Sequence, residues 1–545
     1  MSRPHDVEVG DALAELVDQF ADPLVFLREL VQNALDAGSP EVDVYAELRP
    51  SGDDPDQGVM VIGVDDYGEG MDRQIIDTRL TRLFSSAKDG DLTKIGKFGI
   101  GFVSVFALRP DAVCVDTSRG GEHWRILFRA DRSFVRIARE HPVDGTKIQV
   151  FKAVTRAEYG DLAARAEKTL RHWCKHVSGT VRWNDDDIAE PFDVPGALCS
   201  VRSEAEGIRV VASYLPGGAS SFGFYNRGLT LLEGTGSGFI DGVAFKVDSR
   251  YLEHTLARND IMRDANFDKA MAVVEGLARE QLPAALWQRV QQVLEAEADT
   301  RSLDAVHRVA ARVAASSEVP SQIPLLRAID GAPLTAAAVR KAAKAGTLRN
   351  AEQRSALADA AVAAGVTVVE VRSGCAGTLA LLGWLADGEV HHVARTFIMP
   401  GPLRDAEEQT RWAPLRAATE ALLQAAGVRV AGVVPARFDY AGSCIARRLF
   451  VLQREPLSLS PWAEEVVRPA EWKRKDTVVI NAAGDGVDAV LTLAQREPEL
   501  AAYALVKLLH LAVGPLPVEV DAQLCSASAE LRATRLSERL GVVAR

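Results

Sequence analysis

Leu24-Val25-Phe26-Leu27-Arg28-Glu29-Leu30-Val31-Gln32-Asn33-Ala34-Leu35-Asp36-Ala37 is the stretch on which the reading of this chain turns. Leu24, Leu27, Val31 and Ala34 recur at i, i+3, i+7 and i+10 and make an apolar stripe. Glu29, Asn33 and Asp36 recur at i, i+4 and i+7 and make a polar one. At about 100° per residue the two stripes lie on nearly opposite sides of one amphipathic helix. A surface helix with a solvated polar face has the same spacing. The two glycine motifs that follow decide between the readings, because both need a helix that presents a carboxylate and a carboxamide.

Downstream, Val42, Val44 and Ala46 alternate with Asp43 and Tyr45, the pattern of a half-buried strand. Residues 51–58 form a hairpin-like loop. Val59 to Val64 is an apolar strand that runs into Asp65-Asp66-Tyr67-Gly68-Glu69-Gly70-Met71. A strand ending in Asp-x-Gly-x-Gly sets a carboxylate where backbone can approach a flat ligand, since glycine has no Cβ to block it. Taken alone it is also an ordinary acidic turn. Arg73 to Phe84 reads as a helix, and polar residues 85–93 suit a mobile lid. Ile95-Gly96-Lys97-Phe98-Gly99-Ile100-Gly101-Phe102 then precedes an apolar helical run. Free N–H groups at such a start bind phosphate. The spacing is GxxGxG, not the GxGxxG of dinucleotide-binding folds. Strands are expected at 113–116, 124–128, 134–137 and 147–151, then a helix at 156–174 and a strand at 179–183.

Glu29-x3-Asn33-x2-Asp36, Asp66-x-Gly68-x-Gly70-Met71, Gly96-x2-Gly99-x-Gly101-Phe102 and Gly145-Thr146, in that order, resemble the boxes of the GHKL ATPases. The wording is most similar to the heat-shock protein 90 (HtpG-like) chaperones, strongly over residues 10–185 and more weakly over 205–265 and 475–515. The resemblance implies an α+β chain. An N-terminal GHKL α/β sandwich (1–192) would be followed by an α/β middle domain (193–472) and a small α+β C-terminal domain (473–545) through which the chain forms a homodimer.

The resemblance also implies ATP and Mg2+ as ligands and client proteins as partners. Glu29 would activate the attacking water and Asn33 would offer an oxygen to Mg2+. Asp36 would support the pocket, Asp66 would accept from the adenine amine, and Gly70 and Met71 would pack on the base. Gly96, Gly99 and Gly101 would bring backbone to the phosphates, Thr146 a hydroxyl near the base, and Leu80 and Phe102 would complete the pocket. Arg258, in His254-Thr255-Leu256-Ala257-Arg258-Asn259-Asp260, matches the middle-domain arginine that reaches the terminal phosphate. A capping arginine in a charged loop is the plainer reading of that residue. Arg79 and Ala87 depart from the family's small polar residue and lid glycine, which bears on turnover more than on binding.

The 545 residues suffice for about three or four domains. A net charge of -12 disfavours nucleic acid. Six cysteines stand singly, without zinc spacing, so a reducing cytoplasmic compartment is expected. No apolar run reaches the roughly 18 residues of a membrane helix.

Residues 266–370 read as alanine-rich helices broken at Pro320 and Pro324. Strands are expected at 209–215, 223–232, 242–247, 366–371, 428–434 and 476–481, and helices at 378–386, 414–426 and 499–513. Tyr503, Val506, Leu509 and Val513 form a stripe fit for a dimer face or for simple core. An ATP-driven HtpG-type chaperone is the first functional expectation. The others are a GHKL ATPase with another role (a MutL-like or MORC-like clamp on DNA, or a defence or signalling ATPase) and a nucleotide-binding scaffold without turnover.

Overall fold

Helix α1 (Phe26–Asp36) follows a short turn, and its apolar stripe is fully internal: Leu24, Leu27 and Val31 are 0% exposed and Ala34 is 2%. The computed structural model describes residue 17 and residues 22–52, 54–81, 100–255, 260–462, 464 and 467–540. Contacts divide the chain into two compact units, Met1–Ala285 and Leu286–Arg545, where three segments were expected.

In the first unit an eight-stranded sheet has the order β5-β4-β3-β6-β2-β1-β7-β8. Its strands are β1 (Glu41–Pro50), β2 (Gln57–Asp66), β3 (Ala112–Arg119), β4 (Glu122–Arg129), β5 (Phe134–Ala138), β6 (Thr146–Thr155), β7 (Thr180–Trp183) and β8 (Asp186–Asp187). All neighbours are antiparallel except β1 and β7. Period-two alternation buries Val42, Val44 and Ala46 on one face. The other face is polar: Gln149 donates to the Tyr45 hydroxyl at 2.9 Å and Lys147 pairs with Asp65 at 3.0 Å. Helix α2 (Arg156–Cys174) matches its expected bounds because Thr155 and Glu158 form a capping box. It packs on α1, and both helices share one core with the apolar face of the sheet. The expected helix at 73–84 is a single turn, Arg73–Ile75, and a wider turn, Ile76–Leu80; residues 82–84 lie outside the described residues.

A five-stranded sheet completes this unit, in the order β12-β11-β13-β10-β9. Its strands are β9 (Cys199–Ala205), β10 (Ile208–Tyr214), β11 (Ser221–Asn226), β12 (Leu229–Thr235) and β13 (Ala244–Ser249). Strand β9 was not expected. The single strand expected at 223–232 is a hairpin. Its turn residues Arg227 and Gly228 have φ of +49° and +81°, the two positive values of a mirror-image tight turn. Arginine is not a usual turn residue, so the break is silent in the sequence. Helix α3 (Ala265–Gly276) follows.

The second unit begins within α4 (Leu282–Glu295) and continues through α5 (Thr300–Ala314), the hairpin β14 (Pro324–Arg327) and β15 (Pro333–Thr335), and α6 (Ala336–Lys344). A parallel pair comes next: β16 (Leu348–Ala351), α7 (Ala356–Ala363), β17 (Thr367–Glu370) and α8 (Ala376–Ala386). Strand β18 (Phe397–Ile398) later pairs with β21 (Ser460–Pro461). Helix α9 (Ala406–Ala425) starts before the expected Pro414, which lies inside it. Asp405 sets the start by accepting from the Glu408 N–H at 2.8 Å. The closing sheet, β19-β22-β20, is built from β19 (Gly432–Ala436), β20 (Phe450–Gln453) and β22 (Thr477–Asn481). It packs with α9, α10 (Val487–Ala494), α11 (Pro498–Leu511) and α12 (Val518–Leu540). Val506 and Leu509 are 0% exposed within that core. Of the stripe expected to suit a dimer face or simple core, these two are covered by the chain itself, while Tyr503 and Val513 are half-buried. Among the described residues no helix is long and apolar enough to cross a membrane.

Candidate functional site

Glu29 lies on α1 and is only 7% exposed, so its carboxylate is not part of a solvated face. Beside it Arg28, 4% exposed, sets one guanidinium nitrogen 4.0 Å from the Glu29 carboxylate and stacks 4.9 Å over the Trp173 ring of α2. The last glycine of the third box meets this carboxylate directly. A Cβ built on Gly101 would stand 2.9 Å from Glu29 Oε2, so any larger residue would push the carboxylate from its present place. Phe102, 6% exposed, anchors that backbone through ring contacts with Phe106 and Phe128 at 6.4 and 5.3 Å. Gly96 and Gly99, the lid with Ala87, and Arg258 lie outside the described residues.

One turn along α1, Asn33 is exposed. Asp36, also exposed, pairs with Arg227 of the β11–β12 hairpin at 2.7 Å. Its carboxylate therefore holds the second sheet's hairpin in this structure. Arg227 carried no sequence signal of its own.

Asp66 ends β2 and is 9% exposed. Its Oδ1 accepts from the Gly68 N–H at 2.9 Å and the Thr146 N–H at 3.2 Å. Among the described residues no hydrogen bond falls on Oδ2. Burial raises the Asp66 pKa, and the two backbone donors draw it back. Glycine is required on both sides. A Cβ on Gly70, at φ +66°, would stand 2.1 Å from the Ser118 carbonyl oxygen. One on Gly145, at φ +62°, would stand 2.2 Å from the Asp66 carbonyl oxygen. The Asp66 turn, the β6 start and the β3 end are thus in van der Waals contact.

Thr117 ties these parts together and was missed. Fully buried on β3, its hydroxyl accepts from the Met71 N–H at 2.8 Å and lies 3.1 Å from the Thr146 hydroxyl. A faint signal existed: Val113, Val115 and Thr117 share one parity, and a hydroxyl ends an otherwise apolar inward row. Met71 and Leu80 are half-buried at the margin of the same core, and Thr146 is 6% exposed. Arg79 is exposed.

The structure thus joins the second box to the Gly145-Thr146 pair and the first box to the third. The first arrangement presents a carboxylate acceptor between close backbones. The second presents a buried carboxylate beside a glycine backbone.

Residues 24–159 match the family described as histidine kinase-, DNA gyrase B-, and HSP90-like ATPase. The chain is similar to the chaperone protein HtpG of Anaplasma phagocytophilum (strain HZ), 33% identical over 226 residues, which are 37% of this chain and 35% of that protein. It is also similar to HtpG of Nitrobacter hamburgensis, 28% identical over 230 residues, 35% of each chain. HtpG of a Wolbachia species from Brugia malayi is 27% identical over 210 residues, 33% of this chain and 32% of its own. The chain spans about a third of the length of the curated relatives it matches. Its N-terminal part is HtpG-like and carries a GHKL ATPase domain.

Proposed function

From a GHKL domain of HtpG-like kind, we propose that this protein binds and hydrolyses ATP and uses the cycle to remodel client proteins, as a slow, cytoplasmic, homodimeric chaperone. The contact of Gly101 with the Glu29 carboxylate is the observation that carries the reading, because it sets the one buried acid of α1 against the glycine box.

Glu29 orients a water for attack on the terminal phosphate and takes its proton. The Gly101 backbone holds phosphate oxygens beside it. Asp66 Oδ2 accepts from the adenine amine, and guanine, which has an oxygen at that position, is refused. Asn33 offers one neutral oxygen, which fits Mg2+, a cation held chiefly by substrate phosphates and water. When bound, Mg2+ neutralises charge on the phosphates. Arg258 supplies a cation from outside the sandwich as charge develops, so it acts on kcat more than on binding. The division of labour is an ATP domain at 1–192, a middle segment at 193–472 and a dimerising end at 473–545. With Val506 and Leu509 internal, the dimer rests on the likeness to HtpG alone.

ATP turnover and binding, measured on the wild type, Glu29→Ala and Arg258→Ala beside sedimentation of each, test this. Glu29→Ala is expected to keep ATP affinity and lose about 10²- to 10⁴-fold in rate. Arg258→Ala is expected to lose about 10- to 10³-fold. Undiminished turnover by the Glu29 variant would remove the mechanism, and a monomer at micromolar concentration would remove the dimeric clamp.

A further inference from the structure

The second unit holds a cavity of about 790 Å3 at the carboxyl ends of its parallel strands. Strand β16 lies in the middle there. Strand β17 pairs with it on one side, and His392 bridges Asn350 in parallel on the other. Chain order is β16, β17, His392, whereas spatial order is β17, β16, His392. In open α/β sheets such a reversal sends adjacent connections to opposite faces and leaves a crevice where ligands bind. The volume falls in the range of small-molecule pockets, about 300–1,000 Å3.

Its lining is chemically specific. Asn350, 8% exposed, donates through its side-chain amide to the Val390 carbonyl at 2.5 Å. Among the described residues no hydrogen bond falls on its Oδ1. Arg395 lines the cavity with no ion-pair partner among the described residues, while Arg372 is engaged by Glu370 at 2.9 Å. Glu352 is exposed at the wall, likewise without an ion pair among the described residues. The loops carrying Ser355 and Cys375, from which α7 and α8 start, also line it; the α8 start is already engaged, the Gly377 N–H donating to the Asp304 carboxylate at 2.6 Å, which leaves the α7 N-terminus at the edge.

We propose that this cavity is a second ligand site, separate from the Glu29 site, that binds a nucleoside phosphate. The phosphate lies against Arg395 and the first turn of α7. Glu352 accepts from ribose hydroxyls, and Asn350 Oδ1 accepts from an N–H of the base. An inorganic anion would satisfy only the first of these groups, and an uncharged nucleoside only the last two.

Calorimetric titration of the full chain with the four ribonucleoside monophosphates, each beside its nucleoside, tests this. At least one monophosphate is expected to bind one per chain and about tenfold or more tighter than its nucleoside. Arg395→Ala, at an exposed position, is expected to remove that phosphate advantage with an unchanged melting curve. Glu352→Gln should weaken nucleotide and nucleoside alike, and Asp66→Asn should leave monophosphate binding intact. Absence of binding by all four, equal binding of nucleotide and nucleoside, or binding lost in Asp66→Asn but kept in Arg395→Ala would overturn the proposal.

Discussion

Asp66 Oδ1 accepts from the Gly68 and Thr146 N–H groups, and among the described residues no hydrogen bond falls on Oδ2. The carboxylate after a strand is legible in the chain, but this division between its two oxygens is not, because Thr146 lies 80 positions away. Asp66→Asn keeps the shape and exchanges an acceptor for an amide. It is expected to weaken ATP binding by about tenfold or more, and unchanged affinity by calorimetry would remove the adenine assignment. A second residue bears on pH. His307, 1% exposed, has its Nδ1 2.8 Å from the Thr378 hydroxyl. Burial lowers its pKa from 6.5 to about 4. A histidine so held neutral contributes stability above its ordinary pKa and loses it as the pH falls toward the folded value, since only the unfolded chain then takes up the proton. Between pH 7 and pH 4 the wild type is expected to lose about 3 kcal/mol more than His307→Leu. Parallel losses in urea unfolding at the two pH values would refute this.

At the scale of elements, helices and strands followed periodicity wherever one face is buried and the other wet. Strands β1 to β7 fall within a few residues of expectation, and α2 matches because its capping box marks its start. The failures have local causes. The β11–β12 turn is made by Arg227-Gly228, and α9 carries Pro414 in its interior because Asp405 caps it earlier. Gly228 also shows how closely that hairpin packs: a Cβ there would stand 2.0 Å from the His176 carbonyl oxygen, so a larger residue would force the two backbones apart. The site depends on the same kind of fit. Gly101→Ala puts a methyl 2.9 Å from Glu29 Oε2 and must displace the carboxylate or the backbone. Turnover is expected to fall by about tenfold or more with ATP binding retained, since small misplacements of a catalytic group are costly. Steady-state rates equal to wild type would show that the contact has no part in catalysis.

For the whole chain, the reading placed the first boundary at residue 192, but the compact unit runs to Ala285. Leu229 of β12 belongs to the same core as α1 and the large sheet, Thr230 donates to the His172 carbonyl at 2.7 Å, and Lys175 pairs with Glu233 at 2.9 Å. A fragment ending at 192 leaves those partners exposed. It is expected to melt at least about 4 °C below fragment 1–285, because burial of a leucine alone is worth about 2 kcal/mol. Equal melting temperatures would show that the second sheet adds nothing to the stability of residues 1–192. By itself the sequence determined the amphipathic α1, the alternating strands of the large sheet, and the order of four boxes whose spacing resembles one ATPase superfamily. Those are properties of short segments, in which each residue's neighbours along the chain set its conformation and its face. Tertiary structure alone decided that Asp36 turns to Arg227, that Thr117 joins Met71 to Thr146, that Val506 and Leu509 are internal, and that β16, β17 and His392 enclose a cavity. Each of these depends on residues far apart in sequence, and no periodicity records which distant partner closes the contact.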